Sequence, residues 1–374
     1  MHTRTQFESL EHRLPLAGNI TASFDNGVLT LAGDDLANAV EVGLAAPGQV
    51  FVQGVGDLQQ NQPTAINGVA NGTQVFTGVD KLYVYLRGGD DELRVNNIAL
   101  SVLHVEGGTG SDNVRIGAPQ AAFLGALGNI NDGSVGVSQT LRVDLGTGGD
   151  ELVRLQRVFG GAAWDLDATS ALARVQVFDA SSGAVDVRTG GGNDLLLIYN
   201  HTAHGVVNIN TDGGNDQLQL VNSSLRKDAF LIGGDGDDLF GLDVNNYGGL
   251  VQADTGAGND FLLFSRSVAA KEVRLFTGGG FDTLLVGRYY TSPNTLANGG
   301  STAKKITIDT GAQTDTAHVA ANAVDDFYAA YGAGDDNVTF DYNLIRHRGT
   351  ADGGGGSNPL TQLGGNNLKF LNFT

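Results

Sequence analysis

The residues of this chain that could do chemistry are carboxylates set at a constant interval. Asp194, Asp216, Asp238, Asp260 and Asp282 lie 22 residues apart, and the same register reaches Asp91, Asp112 and Asp150 before them and Asp315 and Asp336 after them. All but Asp315 follow a glycine two positions earlier, as at Gly89, Gly236 and Gly334, and several follow a second Asn or Asp, as at Asp237. Two such charges stacked at strand spacing, roughly 4.8 Å, repel by about 3.5 kcal/mol at an effective dielectric of about 20. A hard cation would offset that repulsion. Calcium takes six to eight oxygens from carboxylates, carbonyls and water, and an open glycine corner has carbonyls beside each Asp. Asp112, Asp194, Asp216, Asp237, Asp238, Asp260, Asp282 and Asp336 are therefore the candidate metal ligands. In the alternative, each carboxylate caps its own turn through backbone N–H groups, which lowers its pKa, while water and salt screen the column.

The elements that must hold this column are strands. Two and four residues after the anchors the side chains are apolar, as at Leu218 and Leu220, Phe240 and Leu242, Leu262 and Phe264. Alternation with period two marks a strand with one buried face. Nine and seven residues before the anchors the pattern returns, as at Val207 and Ile209 or Val273 and Leu275, giving a second strand per repeat. A unit of 22 residues cannot hide its own apolar face, so successive units must stack and pair in parallel. The spacing predicts an all-β, right-handed parallel β-helix, a β-solenoid of about a dozen coils. Between Asp150 and Asp194 a degenerate coil fits, with Trp164 and Leu166 on one strand, Ala173 at the anchor, and Val175 and Val177 on the other.

Along the chain this gives an N-terminal segment over 1–18, a β cap with the first strands over 19–81, and the helix over 82–374. Two loop insertions, 117–140 and 287–305, fall on the same connection of their coils. The second carries Arg288, Tyr289, Tyr290, Lys304 and Lys305, the candidate ligand face, because insertions on one edge of a solenoid often build its binding surface. His201 and His204 are expected on the surface of another connection. The terminal coils could also join end to end, through open β edges, unless they are covered.

Composition narrows the function. The 374 residues include 56 Gly, placed periodically, and no Cys, which removes disulfides, zinc–thiolate sites and cysteine nucleophiles. With 41 acidic against 22 basic residues the net charge is −19, which argues against nucleic acid or anionic lipid and for cations as counter-species. No apolar run approaches the roughly 18 residues of a membrane span.

Two resemblances add to this. Phe7, Glu8, Leu10, Glu11, Arg13, Leu14, Leu16 and Ala17, in the run FESLEHRLPLA, resemble the short N-terminal motif of planctomycete extracellular proteins. That resemblance implies an extracellular or cell-surface location. The turns Gly107 to Val114, GGTGSDNV, and Gly233 to Phe240, GGDGDDLF, resemble the nonapeptide of the repeats-in-toxin proteins, which implies calcium binding. This chain departs from that family in carrying one such turn per coil. The reading that follows is a non-catalytic extracellular β-solenoid, a structural, adhesive or matrix component, bound to calcium and in contact with glycan or other surface proteins. The alternative is a polysaccharide-active β-helix enzyme, a lyase or hydrolase using the insertion face. No Asp or Glu pair stands out from the repeat, and no G-x-S-x-G, H-E-x-x-H or phosphate loop is present.

Overall fold

A computed structural model describes residues 18–56, 63–117, 133–169, 172–287, 300–364 and 366–374. The chain winds into a parallel β-helix of about 12 turns, with no helix among the described residues. Consecutive coils lie in register. Leu196 pairs with Leu218, Leu218 with Phe240, Phe240 with Leu262, and Leu262 with Leu284, so residues 22 apart sit directly over one another.

Each coil has three sides. The strand after the anchor, such as Gln217–Val221, belongs to a 15-stranded sheet. The strand before it, such as Val207–Asn210, and a short third strand, such as Thr202–Ala203, belong to a 23-stranded sheet. The third side differs from the two strands per coil that the sequence predicts. Its strands are only two residues long, as at Ser224–Leu225, Asn246–Tyr247 and Val268–Ala269, too short to show a period. Side chains from all three sides fill the interior. Leu220, Leu231 and Leu225 in one coil and Leu242, Ala253 and Tyr247 in the next are all buried.

Two kinds of corner allow the winding. One holds a non-glycine residue in the left-handed region in successive coils: Asn200 at φ 55°, Asn222 at 50°, Val244 at 57° and Arg266 at 47°. The other is the glycine corner before the anchor. At Gly258, φ is 146°, and a Cβ would come within 1.9 Å of the Gly236 carbonyl oxygen one coil below. Only glycine lets the two backbones approach that closely.

Three boundaries differ from the sequence expectation. The ladder residue after Asp112 is Glu151, which is fully buried, while Asp150 is exposed. Leu152 stands opposite Asn113, and Val153 and Leu155 point inward, so the anchor two residues before Val153 is Glu151. The first insertion ends earlier than 140, because Val135–Asp144 is already a strand. The second ends earlier than 305, because Thr302–Asp309 is a strand.

Both ends are closed by different means. Asn19–Asp25 and Val28–Ala32 form an antiparallel pair, as do Ala39–Ala46 and Gln49–Gly54, and Thr73–Thr77 continues the latter antiparallel sheet. From these, Val28–Ala32 and Ala39–Ala46 pass into parallel pairing with Lys81–Gly88 and Glu92–Asn96. At the other end Phe370 and Phe373 pack on Phe340 and Tyr331, at ring separations of 5.3 and 6.1 Å.

Gly258→Ala is expected to destabilise the fold by about 1–3 kcal/mol, the cost of a residue forced into strained backbone. Gly241→Ala, where nothing lies nearer than 3.9 Å, is expected to be nearly neutral. Equal thermal midpoints for the two variants would contradict the stacked corner.

Candidate functional site

The corner that carries the anchors has backbone N–H groups pointing alternately to the coil on either side. Gly214 N–H reaches forward to the Asp235 carbonyl at 2.7 Å, and Gln217 N–H reaches back to the Asp194 carbonyl at 2.8 Å. Between them, the N–H groups of Asn215 and Asp216 bond side-chain oxygens instead. Asn215 N–H donates back to Asn193 Oδ1 at 2.7 Å, and Asp216 N–H donates forward to Asp238 Oδ1 at 2.8 Å. Repeated every coil, this makes two ladders, one outside and one inside.

The inner ladder is the predicted carboxylate column. Oδ1 of Asp194, Asp216, Asp238, Asp260 and Asp282 accepts from the N–H of the preceding coil's anchor at 2.7 to 2.9 Å. It continues through Asp315, Asp336 and Asn358 at 3.0, 2.9 and 2.9 Å. An earlier run joins Asn38, Asp91, Asp112 and Glu151. Ala173 separates the two runs and offers no acceptor. These anchors therefore do not form an exposed acidic edge. They are 0 to 2% exposed and serve the neighbouring coil's backbone, not their own turn.

The second carboxylate oxygen decides the chemistry. Oδ2 of Asp112, Asp194, Asp216, Asp238, Asp260, Asp282, Asp315 and Asp336 is buried, and no N–H donates to it. Burial without a cation disfavours the charged form. Desolvation raises Asp91 and Glu151 to about 8, Asp238 and Asp315 to about 7, and Asp112, Asp194 and Asp260 to about 6. Asp216, Asp282 and Asp336 shift the same way. The backbone N–H on Oδ1 opposes the shift in each case, and so does a threonine hydroxyl beside Asp194, Asp216, Asp260, Asp282 and Asp315. Neighbouring carboxylates reinforce it: Asp34 and Asp112 at Asp91, Asp90 at Asp112 and Glu151, Asp212 at Asp194 and Asp216, Asp237 at Asp238 and Asp260, and Asp335 at Asp336. The expected lowering is thus reversed, because removal from water outweighs one hydrogen bond.

Asn358 shows what the second position accepts. It occupies the last rung, and its Nδ2 donates to the Gly353 carbonyl at 2.6 Å. A donor fits where each Asp has Oδ2, so a protonated Asp reproduces the amide's arrangement.

The outer ladder runs Asn193, Asn215, Asp237, Asn259 to the Phe281 N–H, at 2.7, 2.9, 2.7 and 3.0 Å. Asp237 Oδ1 also accepts from Asn259 Nδ2 at 3.0 Å. No group of three or more His, Asp or Glu able to hold a metal occurs among the described residues.

Other predicted residues separate. Arg288, Tyr289 and Tyr290 lie outside the described residues. Lys304 and Lys305 belong to a strand, not a loop. Lys305 Nζ pairs with Glu272 at 2.8 Å and lies 5.4 Å from the Tyr328 ring centre, and with Arg274 it holds Glu272 down to about 2. His201 is not on the surface. It is buried 4.9 Å from the Trp164 ring, its Nε2 is 3.0 Å from Ser182 Oγ, and burial lowers it to about 4, while His204 is exposed.

Sequence reasoning missed a second buried ladder, one residue past the left-handed corner. His201 N–H bonds Ser223 Oγ, Ser223 N–H bonds Asn245 Oδ1, and Asn245 N–H bonds Ser267 Oγ, at 3.2, 2.8 and 3.1 Å. The column mixes His, Ser and Asn, so identity does not repeat, but hydrogen-bonding capacity does.

No family model, curated protein or solved structure matches this chain.

The anchors bind protons more tightly folded than unfolded, so acid stabilises the fold. The thermal midpoint is expected to be highest near the ordinary carboxylate pKa of about 4 and to fall as pH rises through about 6 to 8. Asp238→Asn should match the parent at pH 5 and exceed it at pH 8. Asp238→Ala, which leaves the Asp216 N–H without its acceptor, should lose about 1–3 kcal/mol at pH 5. A midpoint that rises with pH would contradict the protonated ladder.

Proposed function

We propose that this protein is a non-catalytic extracellular β-solenoid, a structural or adhesive component of a cell surface or matrix. One observation carries the reading: the repeated carboxylates are occupied in joining coil to coil. An acid–base catalyst needs a carboxylate that differs from its neighbours and faces a substrate. Here every rung except Ala173 does the same thing, and does it inside the coil. The extracellular location draws its support from residues 7 to 17, which lie outside the described residues.

Calcium is the second neutralising species this reading admits, and the unbonded Oδ2 column is what favours it. A cation stacked along that column would compensate the same desolvated charge that a proton compensates. Each anchor has one free oxygen, so most of the six to eight ligands would come from carbonyls of the glycine corner and water. Binding to the folded chain alone raises stability by mass action, about 2.7 kcal/mol at a hundredfold excess over Kd.

At pH 8, where the proton is lost, millimolar calcium is expected to raise the thermal midpoint and chelator to reverse the rise. No change would remove calcium from the account. Incubation with a panel of acidic glycans is expected to release no reducing or unsaturated ends, and release would overturn the non-catalytic reading.

A further inference from the structure

The outer face of the 15-stranded sheet departs from the rest of this acidic chain. Its outward side chains over five consecutive rungs are Asn113, Arg115 and Gly117, then Asp150, Leu152, Arg154 and Gln156, then Leu172, Arg174, Gln176 and Phe178. Leu195, Leu197 and Tyr199 follow, and then Gln217, Gln219 and Val221. Among these only Asp150, at the start of its strand, is a carboxylate, although the chain carries 41 Asp and Glu. The corresponding outward face of the other sheet has carboxylates at Asp144, Asp165, Asp186, Asp254, Glu272 and Asp309.

The guanidiniums on this face are set for an anion. Arg94, Arg115 and Arg154 stand directly opposite one another on successive strands, an arrangement that like charges disfavour. Glu92 offsets the first two, at 2.8 Å from Arg94 and 3.7 Å from Arg115. Arg154 lies 5.4 Å from the Phe178 ring centre and bonds Gln156, and Arg174 is exposed. Neither forms an ion pair with a carboxylate among the described residues. Beside them Phe178 and Tyr199 stack, their centroids 5.8 Å apart, and Tyr199 bonds Gln219.

Size and charge select the occupant. Five rungs span roughly 20–25 Å and a five-residue strand roughly 17 Å, so the strip covers roughly 400 Å². A stable protein partner needs about 800 Å² per side. An extended polymer one chain wide needs far less. Nucleic acid, with a charge every ~1.7 Å of duplex, is the polymer most strongly repelled by a net charge of −19. A polymer with about one carboxylate per sugar meets the planar forks of Arg115, Arg154 and Arg174, and its hydroxyls meet the amides of Gln156, Gln176, Gln217 and Gln219.

We propose that this face binds a linear carboxylated polysaccharide, lying along the coil axis across these rungs. The inference deepens the adhesive reading and rests on it only in that the glycan is held and not cleaved. The test is native electrophoresis of the full chain through gels containing alginate, dextran or single-stranded poly(dT), in calcium-free buffer. The parent is expected to be retarded by alginate alone, with retardation weakening as salt rises. The triple variant Arg115→Gln, Arg154→Gln, Arg174→Gln should keep the parent's thermal midpoint and bind at least tenfold more weakly. Arg174→Gln alone, an exposed change, should weaken binding measurably whether or not the triple variant folds. No retardation by alginate, equal retardation by dextran, preference for poly(dT), or full retention by the Arg174 variant would overturn the proposal. Shortening of the alginate would instead overturn the non-catalytic reading and leave binding standing.

Discussion

A winding chain must satisfy its backbone where the sheets end, and the side-chain ladder at the glycine corner is how this one does so. Inside a sheet, each N–H meets a carbonyl on the next strand. At the corner, the N–H groups of Asn215 and Asp216 meet side-chain oxygens from the coils on either side. Leaving buried N–H groups unpaired at every coil would cost about 1–3 kcal/mol each. The fixed interval follows directly, since an oxygen must stand over the same N–H on each turn. The Ser and Asn column past the left-handed corner answers the same demand at the next bend.

An aspartate in that position brings a charge that the site cannot solvate. One oxygen is held by the neighbouring N–H and the other is buried without an N–H donor, with no Lys or Arg among the described residues paired to it. A proton resolves the conflict by turning the second oxygen into a donor. The two runs of the ladder, broken at Ala173, begin at Asn38 and end at Asn358, whose side-chain amides need no proton at all. The chain's acidity therefore includes an inner set that burial keeps protonated to higher pH.

Much of this was legible in the sequence, because stacking needs a strict period and a strict parity. The 22-residue interval, the inward pairs such as Phe240 and Leu242, and the degenerate coil around Ala173 follow from those two rules alone. Parity also held a clue to the orientation of the anchors. Asp238 shares its parity with Phe240 and Leu242, so it belongs to the buried face, and Val153 and Leu155 point to Glu151 in the same way. The left-handed corner was not legible, because Asn200 and Asn222 give way to Val244 and Arg266, which rarely adopt that backbone alone. His201 was hidden for a related reason: a polar run, NHTAHG, straddles an inward position that opens onto Trp164. The outer face, with Asp150 as its one carboxylate over these rungs, needs the register of five strands before its scarcity of acids can be seen.

The central claim is that the inner carboxylates, as buried partners of the backbone, hold their protons to higher pH than an ordinary aspartate. A pH titration of side-chain carboxyl ¹³C shifts, with the anchors assigned through single Asp→Asn variants, reads this directly. Asp238 and Asp260 should keep the shift of the neutral acid at pH values where exposed aspartates are already ionised. Anchors that titrate together with the exposed carboxylates would contradict the account.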